Sequence, residues 1–131
     1  MSNRLKIHDT NTLGGDGPVL ILDFLTERVT VRELIRSRVY QEVKDYNTRQ
    51  PQWFQGLVQP TDAEQTLNGY RLRQPRQIDW GRQFENAIAA FLSNGFIILV
   101  DDEQVMDLEE EIMVAPETSV TFLKLVPLVG G

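Results

Sequence analysis

Gly130 and Gly131 are the residues in this sequence best suited by type and position to covalent chemistry. They follow an apolar, proline-bearing run, Val126-Pro127-Leu128-Val129. Glycine has no Cβ, so it takes conformations closed to other residues and lets another backbone approach closely. An acyl carbon flanked only by hydrogens is the least hindered target for a nucleophile. A Gly131 carboxylate, once activated, is therefore well suited to transfer onto an amine or a thiol. A frayed terminus without chemistry is the competing reading of the same dipeptide.

The remaining reactive side chains offer little catalysis. His8 is the single histidine and there is no cysteine, so neither a nucleophilic triad nor a zinc site can be assembled around it. Without a thiolate the chain can supply only the acyl half of a thioester. Asp101, Asp102, Glu103, Asp107, Glu109, Glu110 and Glu111 form an acidic run. Its spacing matches no calcium-binding EF-hand loop. It reads as a solvated acidic surface able to meet a basic partner. The chain is thus expected to have no catalytic residue, metal or cofactor of its own.

At 131 residues the chain is expected to form one domain, 1–131, around a single core. Its 41% hydrophobic and 24% charged content is that of a soluble globular protein. The net charge of −6 with scattered basic residues argues against nucleic acid as a partner. Residues 1–9 lack the apolar stretch of a secretory signal. The runs Val19–Leu25 and Phe96–Val100 are too short to span a bilayer. A cytoplasmic location without a membrane partner is expected.

Several elements must position the tail. Arg4–Asn11 alternates as a first strand, and the turn formers of Leu13–Pro18 join it to a second, Val19–Phe24, apolar on both faces. Thr30-Val31-Arg32-Glu33 is a capping box opening a helix at about 31–47. Along it Val31, Leu34, Ile35, Val39, Val43 and Tyr46 form one apolar stripe. Residues 48–79 are broken by Pro51, Gly56, Pro60, Gly69 and Pro75 but hold Trp53, Phe54, Leu57, Val58, Leu67, Tyr70, Leu72 and Ile78. They read as an ordered insertion between the first helix and the third strand, covering core or making a partner surface. Asp79 is expected to cap a second helix at about 80–93, its apolar face formed by Trp80, Phe84, Ala87, Ile88, Phe91 and Leu92, with Asn94-Gly95 as its stop. Phe96–Val100 is a central strand, Gln104–Val114 holds a short strand and a turn, and Val120–Val126 is the last strand. The order gives an α+β fold with helix packed on one face of a sheet.

The segment Phe96–Gly131 resembles the ubiquitin-like β-grasp superfamily. Ubiquitin-like modifiers there show an apolar strand, a polar turn, a short strand, a loop and a final strand ending in Gly-Gly. Ser119–Gly131 is also similar to the tails of bacterial sulfur carriers, which end in an apolar strand, a proline and Gly-Gly. The front hairpin and the Thr30-capped helix fit the same fold, so the resemblance spans roughly 1–47 and 80–131. The insertion and the apolar tail, which lacks the arginines of ubiquitin's own, tilt it toward a bacterial protein modifier.

The resemblance implies that an E1-like adenylating enzyme docks on the sheet and activates Gly131 with its own ATP and magnesium. An E2-like enzyme, a deconjugating peptidase and the target proteins would be further partners. Gly130 and Gly131 would be the conjugation residues, and Pro127, Leu128 and Val129 would thread into the enzyme. On the last strand, Lys124 marks its own set as outward, which makes Phe122 and Val126 a docking patch. The alternatives are a sulfur carrier bearing a Gly131 thiocarboxylate, or an unconjugated β-grasp interaction and self-assembly domain.

Overall fold

A computed structural model describes residues 3–12, 14, 15, 17, 19–61, 63–66, 69–73 and 76–125, with only the backbone at 65 and 66. The chain divides into two compact units, residues 1–34 with 91–131, and residues 35–90. The fold is α+β, with two helices, a mixed five-stranded sheet and two small sheets.

The first unit holds the large sheet. β1 (Asn3–Asn11) and β2 (Leu20–Phe24) form the expected antiparallel hairpin, with Leu5 opposite Leu22 and Ile7 opposite Leu20. β6 (Phe96–Val100) and β7 (Glu103–Val105) form a second hairpin. Its two-residue turn, Asp101-Asp102, has both φ angles positive, at 50° and 69°. That is the signature of the primed turn whose twist matches paired strands. β9 (Ser119–Lys124) joins the hairpins, parallel to β1 and antiparallel to β6, giving the order β2-β1-β9-β6-β7. Leu5, Ile7, Leu22, Phe24, Phe96, Ile98, Val105, Val120 and Phe122 are all buried. The rings of Phe91, Phe96 and Phe122 lie in series, with centroids 6.0 and 5.8 Å apart.

Two short strands escape a reading by periodicity. β3 (Arg28–Thr30) pairs antiparallel with β8 (Glu111–Met113). This pairing brings the turn before β8 against the start of α1 (Val31–Arg49). The amides of Val31 and Arg32 donate to the carbonyls of Glu110 and Leu108, each at 2.9 Å. The Glu33 amide donates to Thr30 Oγ1 at 3.1 Å, as the capping box requires. Three of the four amides that a helix start leaves without partners are thereby satisfied. Two expectations need correction here. Val19–Phe24 is not apolar on both faces in any buried sense, since Ile21 is 56% exposed and Asp23 is exposed. Leu92, expected on the apolar face of α2, is 64% exposed.

The second unit contains most of α1, the hairpin β4 (Ala63–Thr66) and β5 (Gly69–Leu72), and most of α2 (Trp80–Leu92). Among the described residues of 48–79, amide side chains tie the backbone down beside the strands β4 and β5. Asn47 clamps Ile78, donating to its carbonyl at 2.9 Å and accepting its amide at 2.8 Å. The buried Gln83 donates to the Val58 carbonyl at 2.7 Å. Asp79 caps α2 through the Gly81 amide at 3.0 Å. Inside, Arg38 and Glu42 form a buried ion pair at 3.1 Å. Phe54 and Tyr70 exchange two backbone hydrogen bonds. Burial, and then the charge of Glu42, raises the Tyr70 phenol above its ordinary value.

Thr30→Ala is expected to cost about 1 kcal/mol in urea denaturation, and Thr30→Ser much less. Folded Tyr70 keeps its proton where the unfolded chain has lost it, so unfolding releases a proton above pH about 10 and stability falls as pH rises. Urea midpoints at about pH 9 and about pH 11 should therefore fall less for Tyr70→Phe than for the unaltered chain.

Candidate functional site

The candidate site is the end of β9 and the sheet face around it. β9 is hydrogen bonded on both sides to its last residue, with Lys124 opposite Asn11 of β1 and opposite Phe96 of β6. The Thr12 amide also donates to the Lys124 carbonyl at 3.1 Å. At its start, Ser119 exchanges hydrogen bonds with Asp101, through the Asp101 amide at 2.8 Å and its carboxylate at 2.9 Å. The strand leading to the tail is thus pinned at both ends. Leu125, the last described residue, is 37% exposed. Val126, Pro127, Leu128, Val129, Gly130 and Gly131 lie outside the described residues.

Phe122 is not a docking residue. It is fully buried, as is Val120, so this set of alternate residues faces the core. The outward set is Thr121 and Leu123, both half-buried. Lys124 misled because it closes the strand, where a long aliphatic stem stays partly covered whichever way the strand faces. The register aligns Thr10, Leu123 and Ile97 in one row across β1, β9 and β6. A second row runs His8, Thr121, Leu99 and Gln104. Ile97, Leu99 and Leu123 therefore form an apolar spot on the outer face, bordered by Thr10, Thr121 and the exposed His8. The signal that could have found it was the run Phe96–Val100, apolar at consecutive positions and so apolar on both faces of its strand.

The acidic run does not gather into a metal site, since no group of three or more potential ligands occurs among the described residues. Asp107 accepts the Glu109 amide at 2.9 Å, while Glu109 and Glu111 pair with Arg32 and Arg28 at 2.8 and 3.7 Å. These pairs are exposed and contribute little to stability. No protein-family model, curated protein or solved structure matches the chain.

The two faces of β9 should separate in denaturation experiments. Phe122→Ala is expected to cost about 3–5 kcal/mol through the cavity it leaves. Leu123→Ala, removing a half-exposed side chain, should cost about 1 kcal/mol or less.

Proposed function

We propose that the chain is a ubiquitin-like protein modifier of the β-grasp type, activated and transferred through the Gly131 carboxylate. The observation that carries the reading is the placement of Gly130-Gly131 one short proline-bearing segment beyond β9. A strand held on both sides gives such a tail a fixed point of departure. The β-grasp reading is supported by the N-terminal hairpin, the helix that follows it, and a closing strand that returns beside β1 in mid-sheet. The docking face of the proposal is the spot around the half-buried Ile97, Leu99 and Leu123 rather than the fully buried Phe122, because an accessible apolar spot with a polar border suits a protein partner.

In the proposed chemistry a carboxylate oxygen of Gly131 attacks the α-phosphorus of ATP on an E1-like enzyme and expels pyrophosphate. A cysteine thiolate of that enzyme attacks the acyl carbon, expelling AMP and forming a thioester. A target amine then displaces the thiolate and forms an isopeptide bond. Pro127 has a fixed φ and no amide hydrogen, so it suits a segment that leaves the sheet and is read by an enzyme as extended chain. The same proline-bearing tail favours a second reading, a sulfur carrier whose Gly131 becomes a thiocarboxylate.

The test incubates the chain ending at Gly131 with ATP, magnesium and an extract of the cells that make it. Mass spectrometry is expected to find Gly131 joined to lysine amines, dependent on ATP and lost when Gly130-Gly131 is deleted. Leu123→Glu should lower the yield without unfolding the chain. Exchange of one carboxylate oxygen for sulfur would establish the carrier instead. Equal conjugation of the truncated chain would overturn both.

A further inference from the structure

Charge is distributed unevenly between the two units. The sheet unit carries five Lys and Arg against thirteen Asp and Glu, whereas residues 35–90 carry eight against six. Three of those eight basic residues line one cleft beside β5.

The cleft arises where strand pairing stops. Phe54 and Tyr70 form a single antiparallel bridge. Beyond it, Pro51 has no amide hydrogen to continue a ladder, and Gln50 takes a positive φ of 44°. The segments 50–52 and 71–73 instead both line an open cleft of about 280 Å³. Arg71, Arg73 and Arg76 all contribute to it, together with Gln50, Gln52 and Leu72, and no carboxylate is among its described lining residues. Arg71 and Arg73 are exposed and make no ion pair among the described residues. Arg76 donates to the carbonyls of Thr61 and Gln77. Those bonds are to neutral carbonyls, and Arg76 makes no ion pair among the described residues.

Three arginines lining one concavity suit an oxyanion, which a planar guanidinium fork can hold through two parallel hydrogen bonds. The other lining residues indicate what carries that oxyanion. Leu72 and Pro51 offer apolar contact for a methylene stem, and Gln50 and Gln52 offer amide partners for a peptide backbone. A polynucleotide needs an extended basic stripe along its backbone, whereas the arginines here line a single cleft. We infer that this cleft binds a glutamate- or aspartate-bearing segment of a protein partner. The site requires neither the tail nor its conjugation.

The full chain with nitrogen-labelled arginine is titrated with a capped oligoglutamate peptide, with oligoglutamine, and with inorganic phosphate at matched ionic strength. The glutamate peptide should shift the side-chain resonances of Arg71, Arg73 and Arg76 saturably, and oligoglutamine should not. Its affinity should fall roughly tenfold between about 0.05 and about 0.5 M salt. Arg71→Gln with Arg73→Gln should weaken it roughly tenfold or more, and the paired lysine variant less than that. Deleting Gly130-Gly131 should change nothing, so failure here stays distinct from failure of conjugation. Phosphate shifting these resonances while the peptide does not would make this a small-oxyanion site and overturn the inference. So would undiminished peptide binding by the glutamine variant. Should that variant not fold, the resonances of the unaltered chain decide.

Discussion

The sheet unit depends on β9 being hydrogen bonded on both sides. Its partners are two hairpins, β1–β2 from one end of the sequence and β6–β7 from the other. Without β9 these hairpins share no backbone pairing, and an isolated hairpin is marginal in water. The strand therefore converts two weak local structures into one cooperative sheet. Bringing residues 3–11 beside 119–124 closes a long loop, but that entropic cost grows only slowly with loop length. Burial of Val120 and Phe122, with the aromatic series through Phe96 and Phe91, is what offsets it.

The same constraint divides the labour of β9 between its two faces. One side supplies core, and the other contributes Leu123 to a row with Ile97. A partner docking there would contact side chains whose positions are fixed by the sheet. Segment 48–79 is built on a different principle. Outside β4 and β5, side chains such as Asn47, Gln59 and Gln83 take up carbonyls of its described residues. Buried loops need such partners because unsatisfied backbone groups are costly. Gly56 shows how close the packing is: a Cβ there would lie 2.1 Å from the Phe54 ring. Where these ties end, beside Gln50 and Pro51, the cleft of arginines opens.

How much of this was legible in the sequence follows from the range of the interactions. The two helices, the front hairpin, the central strand and the last strand are encoded in local periodicity and caps, so their positions could be read within a few residues. β3 and β8 are three residues each and exist because they pair with each other across the chain, which no local pattern reports. Ala63-Glu64-Gln65-Thr66 has little β-propensity apart from Thr66, and it pairs through the hairpin rather than by preference. The facing of β9 runs against its terminal lysine, because Lys124 shares the alternate set of the buried Val120 and Phe122. The arginine cleft was invisible for a related reason: Arg71, Arg73 and Arg76 look scattered until the break in pairing at Pro51 gathers them around one opening. The diglycine, by contrast, is legible only as sequence.

The central claim is that Gly131 is an acyl group awaiting activation, and trapping the activated carboxylate tests it most directly. Hydroxylamine added to the chain, ATP, magnesium and the cell extract would attack an acyl-adenylate at the carbonyl carbon, releasing AMP. The account predicts a hydroxamate on Gly131, found by sequencing the C-terminal peptide in a mass spectrometer and absent without ATP. A Gly131 carboxylate that stays unmodified under those conditions, while the extract still activates its own amino acids, would contradict it.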